Sequence, residues 1–144
     1  MTQGIPSKQA IPPRPLPVVD EDTKPFWDYA KKHELRVQKC TKCGELHYPP
    51  SAICPHCLNL TSEWVKISGK GQVYSFIVVR RQYHPAFAKD LPYTVAIIET
   101  SEGLRMLSNV IDCKPDDVKI GMAVEVVFED VSADFALPKF KPST

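Results

Sequence analysis

Four of the five cysteines form two pairs with the spacing C-x2-C, and this pattern constrains the fold more than any other feature of the sequence. Cys40 and Cys43 make the first pair, and ten residues separate it from the second pair, Cys54 and Cys57. Two intervening residues let both thiolates of a pair bond one ion while amides of the tight turn point at the sulfurs. Gly44 supplies the positive φ that such a turn requires. The spacing therefore predicts one metal ion bound by four thiolates.

Zinc is the first choice for this metal and iron the second, because four thiolates in a tetrahedron suit both. Four protein ligands fill the coordination sphere and leave no open position for water or substrate, so the metal is expected to be structural. His47 and His56 are close in sequence, but the four cysteines suffice, and we expect both histidines to lie at the surface or beside the ligands. Cys113 is expected to be a small, half-buried apolar residue rather than a nucleophile.

Two disulfides are the alternative for the same four cysteines, and they require an oxidising compartment. The N-terminal segment MTQGIPSKQAIPPRPLPV has no apolar core and contains five prolines, so we expect no secretory signal. The longest uninterrupted apolar stretches, residues 76–79 and 95–98, are four residues each, far short of the roughly twenty that cross a bilayer. These features favour a metal over disulfides and predict a cytoplasmic protein without a membrane span.

The charge balance argues against partners that bind through bulk electrostatics. The formal net charge is +1, with nine Lys and Arg against seven Asp and Glu in residues 1–68, and nine against ten in residues 69–144. Four thiolates around a divalent ion add about two negative charges to the first part. Neither part is a polycation, so duplex DNA and anionic membranes are disfavoured as partners.

The sequence divides into three parts, of which residues 1–19 are rich in proline and typical of an extended arm. Residues 20–68 are expected to begin with a short amphipathic helix, capped by Asp22 or Thr23 and running to about His33. The cysteine module follows. Alternation predicts a strand that leads into the first cysteine pair and a returning strand after it, which Pro49 and Pro50 end.

The third part, residues 69–144, is rich in β-branched and apolar residues. Strands are expected at residues 72–81, 94–100, 104–111, 123–131 and 137–140, with one helical turn at residues 116–118. The short spacing and the turn signals favour antiparallel pairing. A five-stranded barrel of the oligonucleotide/oligosaccharide-binding (OB) type satisfies this pattern, and the whole chain is therefore predicted to be mainly β.

Motifs spread over most of the chain resemble the DUF35 family. They are the two cysteine pairs with Tyr48-Pro49-Pro50 between them, together with Pro25-Phe26-Trp27, Ser68-Gly69-Lys70-Gly71, Pro92-Tyr93, Gly121-Met122 and Leu137-Pro138-Lys139-Phe140. The resemblance implies an N-terminal helix and a rubredoxin-like zinc ribbon followed by an OB-fold. It also implies a non-catalytic, acyl-CoA-binding accessory protein that partners a thiolase. A bridge between thiolase and 3-hydroxy-3-methylglutaryl-CoA synthase in the mevalonate pathway is the more specific form of that function.

Binding of coenzyme A or an acyl-CoA requires an apolar slot for the pantetheine and acyl chain, and cations for the phosphates. The candidates for the slot are the aromatic residues Phe26, Trp27, Tyr83 and Phe87, and the candidates for the phosphates are Lys31, Lys32, Arg80 and Arg81. The alternative for Phe26 and Trp27 is that they pack the helix onto the barrel. The alternative for the lysine pair is a solvated helix face.

Single-stranded nucleic-acid binding is the alternative function, because zinc ribbons and OB-folds both occur in such proteins. An OB surface of that kind stacks bases on aromatic residues, commonly on its second and third strands. Here those strands read TVAIIET and LRMLSNV, with no aromatic residue and one arginine. An enzyme in its own right is also disfavoured, because the sequence offers no assembled base, nucleophile or open metal site. We therefore predict a scaffold, with one docking surface on the ribbon and helix and another on the barrel.

Overall fold

The computed structural model describes residues 13–143, which fold into one helix, eight strands and two short 3-10 helices. The helix α1 is Lys24–Lys31, and the strands are β1 (Arg36–Cys40), β2 (Leu46–His47), β3 (Ser62–Lys66), β4 (Lys70–Val79), β5 (Tyr93–Thr100), β6 (Arg105–Val110), β7 (Ala123–Asp130) and β8 (Ala136–Pro142). The 3-10 helices are Pro85–Asp90 and Pro115–Asp117. The prediction of a mainly β chain with an N-terminal helix is confirmed.

The cysteine module is a three-stranded antiparallel sheet with the order β2-β1-β3. β1 pairs with β3 over its whole length, from Arg36 opposite Lys66 to Cys40 opposite Ser62. β2 is only two residues long and ends at His47, and one residue separates it from Pro49 and Pro50, the two prolines expected to end it. The sheet therefore carries the first cysteine pair at the end of its central strand.

The remaining strands form a closed barrel with the order β4-β5-β6-β8-β7, which confirms the predicted five-stranded OB-fold. β4 pairs with β5 and β7, and the single parallel contact joins Val110 of β6 to Phe140 of β8. Strand β5 alternates strictly between buried and half-buried residues, as expected for a strand with one face toward a core. The barrel interior holds the side chains of Val73, Ala96, Ile98, Met106, Val124 and Phe140.

Helix α1 packs its apolar side between the sheet and the barrel. Phe26 and Ala30 are buried, and they belong to the same side of the helix. Thr23 occupies the N-cap position, as predicted, but its side chain makes no capping hydrogen bond; Asp20 and Thr23 instead exchange hydrogen bonds of 3.1 and 2.8 Å. The helix also ends before His33, which adopts a left-handed φ of 61°.

Two glycines of the Ser68-Gly69-Lys70-Gly71 motif allow the chain to pass from the sheet into the barrel. A Cβ on Gly69 would lie 2.3 Å from Cγ1 of Val126, and one on Gly71 would lie 2.4 Å from the carbonyl oxygen of Glu99. Only glycine fits such close approaches. Since β3 ends at Lys66 and β4 begins at Lys70, we propose the domain division after residue 68, as expected from the sequence.

Residues 13–19 and the segment between β4 and β5 contain no strand. Residues 13–19 have no regular secondary structure, while residues 1–12 of the predicted arm lie outside the described residues. The region between Arg81 and Pro92, expected to be a loop, contains the 3-10 helix Pro85–Asp90, whose first turn is capped by Nδ1 of His84. In residues 13–143, no helix is both long and apolar enough to span a membrane.

Candidate metal centre and exposed surfaces

The four cysteine thiols of the two pairs converge at one end of the β2-β1-β3 sheet. Their sulfur atoms all lie within 4.8 Å of one another, and the Cys40–Cys57 and Cys43–Cys54 distances are 3.5 and 3.7 Å. Metal–sulfur bonds of about 2.3 Å in a tetrahedron require sulfur atoms about 3.8 Å apart, whereas a disulfide requires about 2.05 Å. The cysteines are free thiols. The geometry therefore fits a tetrahedral metal ion and does not fit disulfides.

The two cysteine pairs have nearly the same backbone, because each forms a tight turn around its own sulfurs. The amide of Gly44 donates to the carbonyl of Cys40 at 3.0 Å, and the amide of Leu58 donates to the carbonyl of Cys54 at 2.9 Å. Amides inside each turn point at the first sulfur, with Lys42 N 3.4 Å from Cys40 Sγ and His56 N 3.4 Å from Cys54 Sγ. Such bonds stabilise thiolates.

Hydrogen bonds within the cluster shift the pKa values of its thiols in opposite directions. Hydrogen bonds, first from the Cys43 amide and also from Cys57 and Asn59, lower the pKa of Cys40 to about 6 despite its burial. The amide of Glu45 also favours the Cys43 thiolate, but burial and the three neighbouring sulfurs outweigh it and raise the pKa of Cys43 to about 12. A divalent ion bound by all four sulfurs would favour the ionised form of each.

Gln38 and Asn59 hold the segments that carry the cysteines. The buried Gln38 amide accepts from the Ser51 amide at 2.8 Å and donates to the Ser51 carbonyl at 3.0 Å, which fixes the chain leading to the second pair. Asn59 donates to Cys40 Sγ at 3.6 Å and to the Thr61 carbonyl at 3.1 Å. Gln38 lies on the opposite face of β1 from Val37. Both residues are buried, although strict alternation would leave one of the two faces exposed.

No histidine joins the group of potential metal ligands in residues 13–143, which contains the four cysteines alone. His47 is buried, and its burial, followed by the charge of His56, lowers its pKa. Cys113 is half-buried, and burial, with the carboxylates of Asp117 and Asp112, raises its pKa. A neutral thiol of this kind agrees with the expected apolar role.

Half of the predicted acyl-CoA residues lie on helix α1 or at its C-cap. Phe26 is 4% exposed and its ring packs edge-on against Trp27, with centroids 5.1 Å apart. Trp27 in turn packs edge-on against Phe135, at 5.7 Å. These contacts join the helix to the barrel, as the packing alternative expected. Lys31 and Lys32 are exposed, and Lys31 lies 3.8 Å from Asp134.

The other half lies between β4 and β5. Arg80 pairs with Asp116 at 3.2 Å, and the guanidinium of Arg81 lies 5.9 Å from the ring of Tyr83. Tyr83 is exposed, and Phe87 is half-buried on the 3-10 helix. Of the eight residues, Phe87 lines one described cavity and Lys32 another, so no described cavity brings the eight together. Their role in acyl-CoA binding stays a prediction.

A cavity of about 310 Å³ lies at one end of the barrel and was not predicted from the sequence. We call it the barrel-end cavity. It is lined by charged side chains from four separate segments and by apolar and polar residues of the strands, namely Arg14, Phe87, Asp90, Pro92, Tyr93, Thr94, Asn109, Val110, Ile111, Cys113, Pro115, Glu129 and Lys139. No local sequence pattern identifies these residues, because each charge meets its partner only in the folded barrel.

An exposed apolar surface covers the outside of strands β4, β5 and β6. Ile77 lies opposite Val95, and Ile97 lies opposite Leu107, so these four side chains share one face. Ile77 and Leu107 are 62% and 70% exposed. We call these four residues the apolar barrel face. Tyr74 lies at its edge with the guanidinium of Arg105 3.9 Å from its ring.

A second exposed apolar surface lies around the second cysteine pair. It consists of Ile53, Leu58 and Leu60, all of which are exposed. We call it the apolar ribbon tip. Leu58 adopts a left-handed φ of 63° at the position that Gly44 occupies in the first pair, where φ is 76°. A leucine is strained in this conformation.

Fold and site together define a zinc-ribbon protein with a C-terminal OB barrel. Two family profiles match the chain: "ChsH2, rubredoxin-like zinc ribbon domain" over residues 27–61 and "ChsH2, C-terminal OB-fold domain" over residues 64–129. A DUF35 domain-containing scaffold protein of Methanocaldococcus jannaschii is 46% identical over 113 residues, which cover 75% of this chain and 77% of that protein. The chain belongs to the DUF35 family.

Other relatives are parts of enzymes by name. A probable enoyl-CoA hydratase alpha subunit of Thermomonospora curvata is 38% identical over 130 residues, or 90% of this chain, which spans only 40% of that protein's length. The benzoylsuccinyl-CoA thiolase subunit BbsA of Thauera aromatica is 30% identical over 76 residues, which cover 53% of this chain and 51% of that subunit. The solved structure "Ltp2-ChsH2(DUF35) aldolase" contains a chain 36% identical to this one, with a TM-score of 0.83, covering 90% of this chain and all of that one.

Removal of the metal is expected to unfold the ribbon and spare the barrel. The purified protein should contain one metal ion per chain by elemental analysis, and Cys57→Ser should lower that content while Cys113→Ser leaves it unchanged. After chelation, amides of residues 36–66 should lose protection from hydrogen exchange, since metal binding supplies the folding free energy of such modules. Amides of strands β4 to β8 should keep theirs. Equal loss in both parts would contradict this division.

Leu58→Gly is expected to stabilise the metal-loaded protein by about 1 kcal/mol, because it removes the left-handed strain of a residue with an exposed side chain. Urea unfolding of the metal-loaded protein measures this change. Gly44→Leu is the matched reverse variant, since a Cβ at Gly44 meets no atom within 4 Å and only the backbone conformation is tested. It should destabilise by a similar amount. A loss of stability in both variants would show that Leu58 has a packing role instead.

Proposed function

We propose that this chain is a non-catalytic accessory subunit of a thiolase-type acyl-CoA enzyme, and that it docks on that enzyme through its apolar barrel face. The observation that carries the proposal is this exposed aliphatic surface on strands β4 to β6. Contiguous apolar patches of this kind mark protein interaction sites. The name of one relative, a benzoylsuccinyl-CoA thiolase subunit, supplies the enzyme class, and the name of another, a DUF35 domain-containing scaffold protein, supports an accessory role.

The chemistry of the surface favours a protein over a nucleic acid. Its centre is aliphatic, and single-stranded nucleic acids require aromatic rings for base stacking beside a basic groove. Of the two tyrosines beside this surface, Tyr74 already has its ring covered by Arg105, and Tyr93 is half-buried. A binding partner with an apolar patch of its own fits this surface better.

We propose zinc as the metal of the ribbon, bound by Cys40, Cys43, Cys54 and Cys57. The sulfur separations support a tetrahedral ion, and the name of the matching ribbon profile supports zinc over iron. Four protein ligands leave the ion no open position, which supports a structural role without chemistry. We also propose a cytoplasmic location, because a site of four metal-bound thiolates is compatible with a reducing compartment.

The apolar ribbon tip gives the chain a second exposed surface, and this observation supports the more specific form of the proposal. A protein with two separate apolar surfaces can hold two partners at once. We propose that one surface holds the thiolase and the other 3-hydroxy-3-methylglutaryl-CoA synthase. The bridge predicts a ternary complex, whereas a chain that uses both surfaces on one enzyme forms only a binary one.

Leu107→Glu is expected to weaken binding of the thiolase-type enzyme by at least about 30-fold, because a charge placed at the centre of an apolar interface costs about 2 kcal/mol or more. The enzyme is first isolated with the tagged chain from its native cell, and affinity is then measured by calorimetry. Ile120→Glu is the matched control, since Ile120 is 71% exposed, like Leu107 at 70%, but lies on neither apolar surface. If both variants weakened binding equally, or if neither weakened it, the docking proposal would be wrong.

We propose that acyl-CoA contacts are made by the exposed group between β4 and β5, with Arg80 and Arg81 on phosphates and Tyr83 beside the base or pantetheine. Calorimetry with CoA and acetyl-CoA, with the thiolase present, should show weaker binding for Arg81→Ala. The exposed Lys119→Ala should bind as the unaltered chain does. The chain alone should not turn over acetoacetyl-CoA. Binding that is unaffected by Arg81→Ala would remove these residues from the site without touching the docking proposal.

A further inference from the structure

The barrel-end cavity contains a site that shares only Phe87 with the predicted acyl-CoA residues and none of its residues with the apolar barrel face. Arg14, from the arm, reaches across the chain to two carboxylates on different elements. Its Nη1 donates to Glu129 Oε1 of β7 at 3.1 Å, and its Nη2 pairs with Asp90 at the end of the 3-10 helix. The guanidinium carbon lies 5.4 Å from the centroid of the Phe87 ring. The guanidinium of an arginine is planar and carries several donors, so it can bridge two carboxylates and rest on a ring. The ammonium of a lysine fits this arrangement less well.

The charges around this position select a cation. Lys139 lies 2.5 Å from the second oxygen of Glu129, and its side chain is 14% exposed. Burial tends to raise the pKa of Glu129, but the Lys139 hydrogen bond and the charges of Lys139 and Arg14 hold that pKa below its ordinary value. Without Arg14, the carboxylates of Asp90 and Glu129 would have only the ammonium of Lys139 beside them. The remaining net charge of −1 would then need a cation from elsewhere.

Within residues 13–19, only Arg14 makes hydrogen bonds to the rest of the described chain. The ion pairs are partly exposed, with Arg14 and Asp90 side chains 33% and 40% accessible. Exposed pairs of this kind are individually weak. The contact can therefore open and close without unfolding any strand.

The cavity next to the guanidinium has room and polar groups for more than one side chain. Thr94 is 2% exposed, lines the cavity, and its hydroxyl has no hydrogen-bond partner. Asn109 lines the same wall and donates to the Thr94 carbonyl at 2.9 Å. A buried hydroxyl without a partner is costly unless a ligand or water completes it.

We propose that Asp90, Glu129 and Phe87 form a socket for an arginine side chain, which Arg14 fills in cis. The arm is then a releasable strap at the barrel-end cavity, and an arginine in a proline-rich or basic segment of a partner protein replaces it in trans. A segment held close to the barrel competes effectively with a strap that is attached at one point. The site differs from the apolar barrel face, so it stands or falls separately from the docking proposal.

Cys113 reports on the strap, because it lines the same cavity while the other four cysteines belong to the metal centre. In the full-length, zinc-loaded protein, Arg14→Ala should speed iodoacetamide labelling of Cys113 by about fivefold, which corresponds to about 1 kcal/mol of attachment. Mass spectrometry assigns the label to Cys113. Arg14→Lys should give an intermediate rate. The matched control is Arg105→Ala, which removes another arginine that pairs with a carboxylate and covers a ring, but outside this cavity.

Competition in trans is tested with a capped peptide of residues 11–19, IPPRPLPVV. Added to the Arg14→Ala protein, it should bind saturably by fluorescence anisotropy and return Cys113 labelling to the unaltered rate. The same peptide with alanine in place of its arginine should do neither, and Asp90→Asn in the protein should weaken binding of the original peptide. Equal labelling of Arg14→Ala and unaltered protein, or equal binding of both peptides, would overturn the proposal. Circular dichroism checks that each variant remains folded.

Discussion

The convergence of four thiolates on one point is the constraint on which the ribbon depends. Its three strands contain only twelve residues, and few of their side chains are buried and apolar. A sheet of this size cannot stabilise itself by burial alone, so metal–thiolate bonds take the place of a hydrophobic core. The hydrogen bonds from Gln38 to Ser51 then transmit the position of the metal to the chain outside the two turns.

The ribbon nevertheless does not pack independently of the barrel. Phe26, Leu35, Val37 and Ile67 belong to one continuous apolar cluster with the barrel residues Val73 and Phe140. The metal orders the far end of the ribbon, and this cluster fixes the near end to the barrel. The apolar ribbon tip and the apolar barrel face are therefore held in one geometry, which is what a protein that positions partners requires.

The features that were predictable from sequence are those whose signal is local. The cysteine spacing, the glycine in the first turn and the β-branched residues of β5 each lie within a few residues of the structure they specify. The barrel-end cavity could not be predicted, because Arg14, Asp90, Glu129 and Lys139 meet only after the barrel closes. Phe26 shows the other limit, since an aromatic residue on an amphipathic helix has the same sequence signal whether it packs or binds.

Leu58 in the second cysteine turn departs in two ways from what stability alone favours. The first turn uses Gly44 for its left-handed residue, whereas the second places Leu58 in the same conformation with its side chain 74% exposed. Backbone strain and exposed apolar area are both unfavourable in the isolated chain. A partner that covers Leu58, Ile53 and Leu60 would recover the apolar area, and the tight turn would present the leucine at a defined angle. The unfavourable local choices thus support an interface at the ribbon tip, because only a bound state contains the contact that compensates for them.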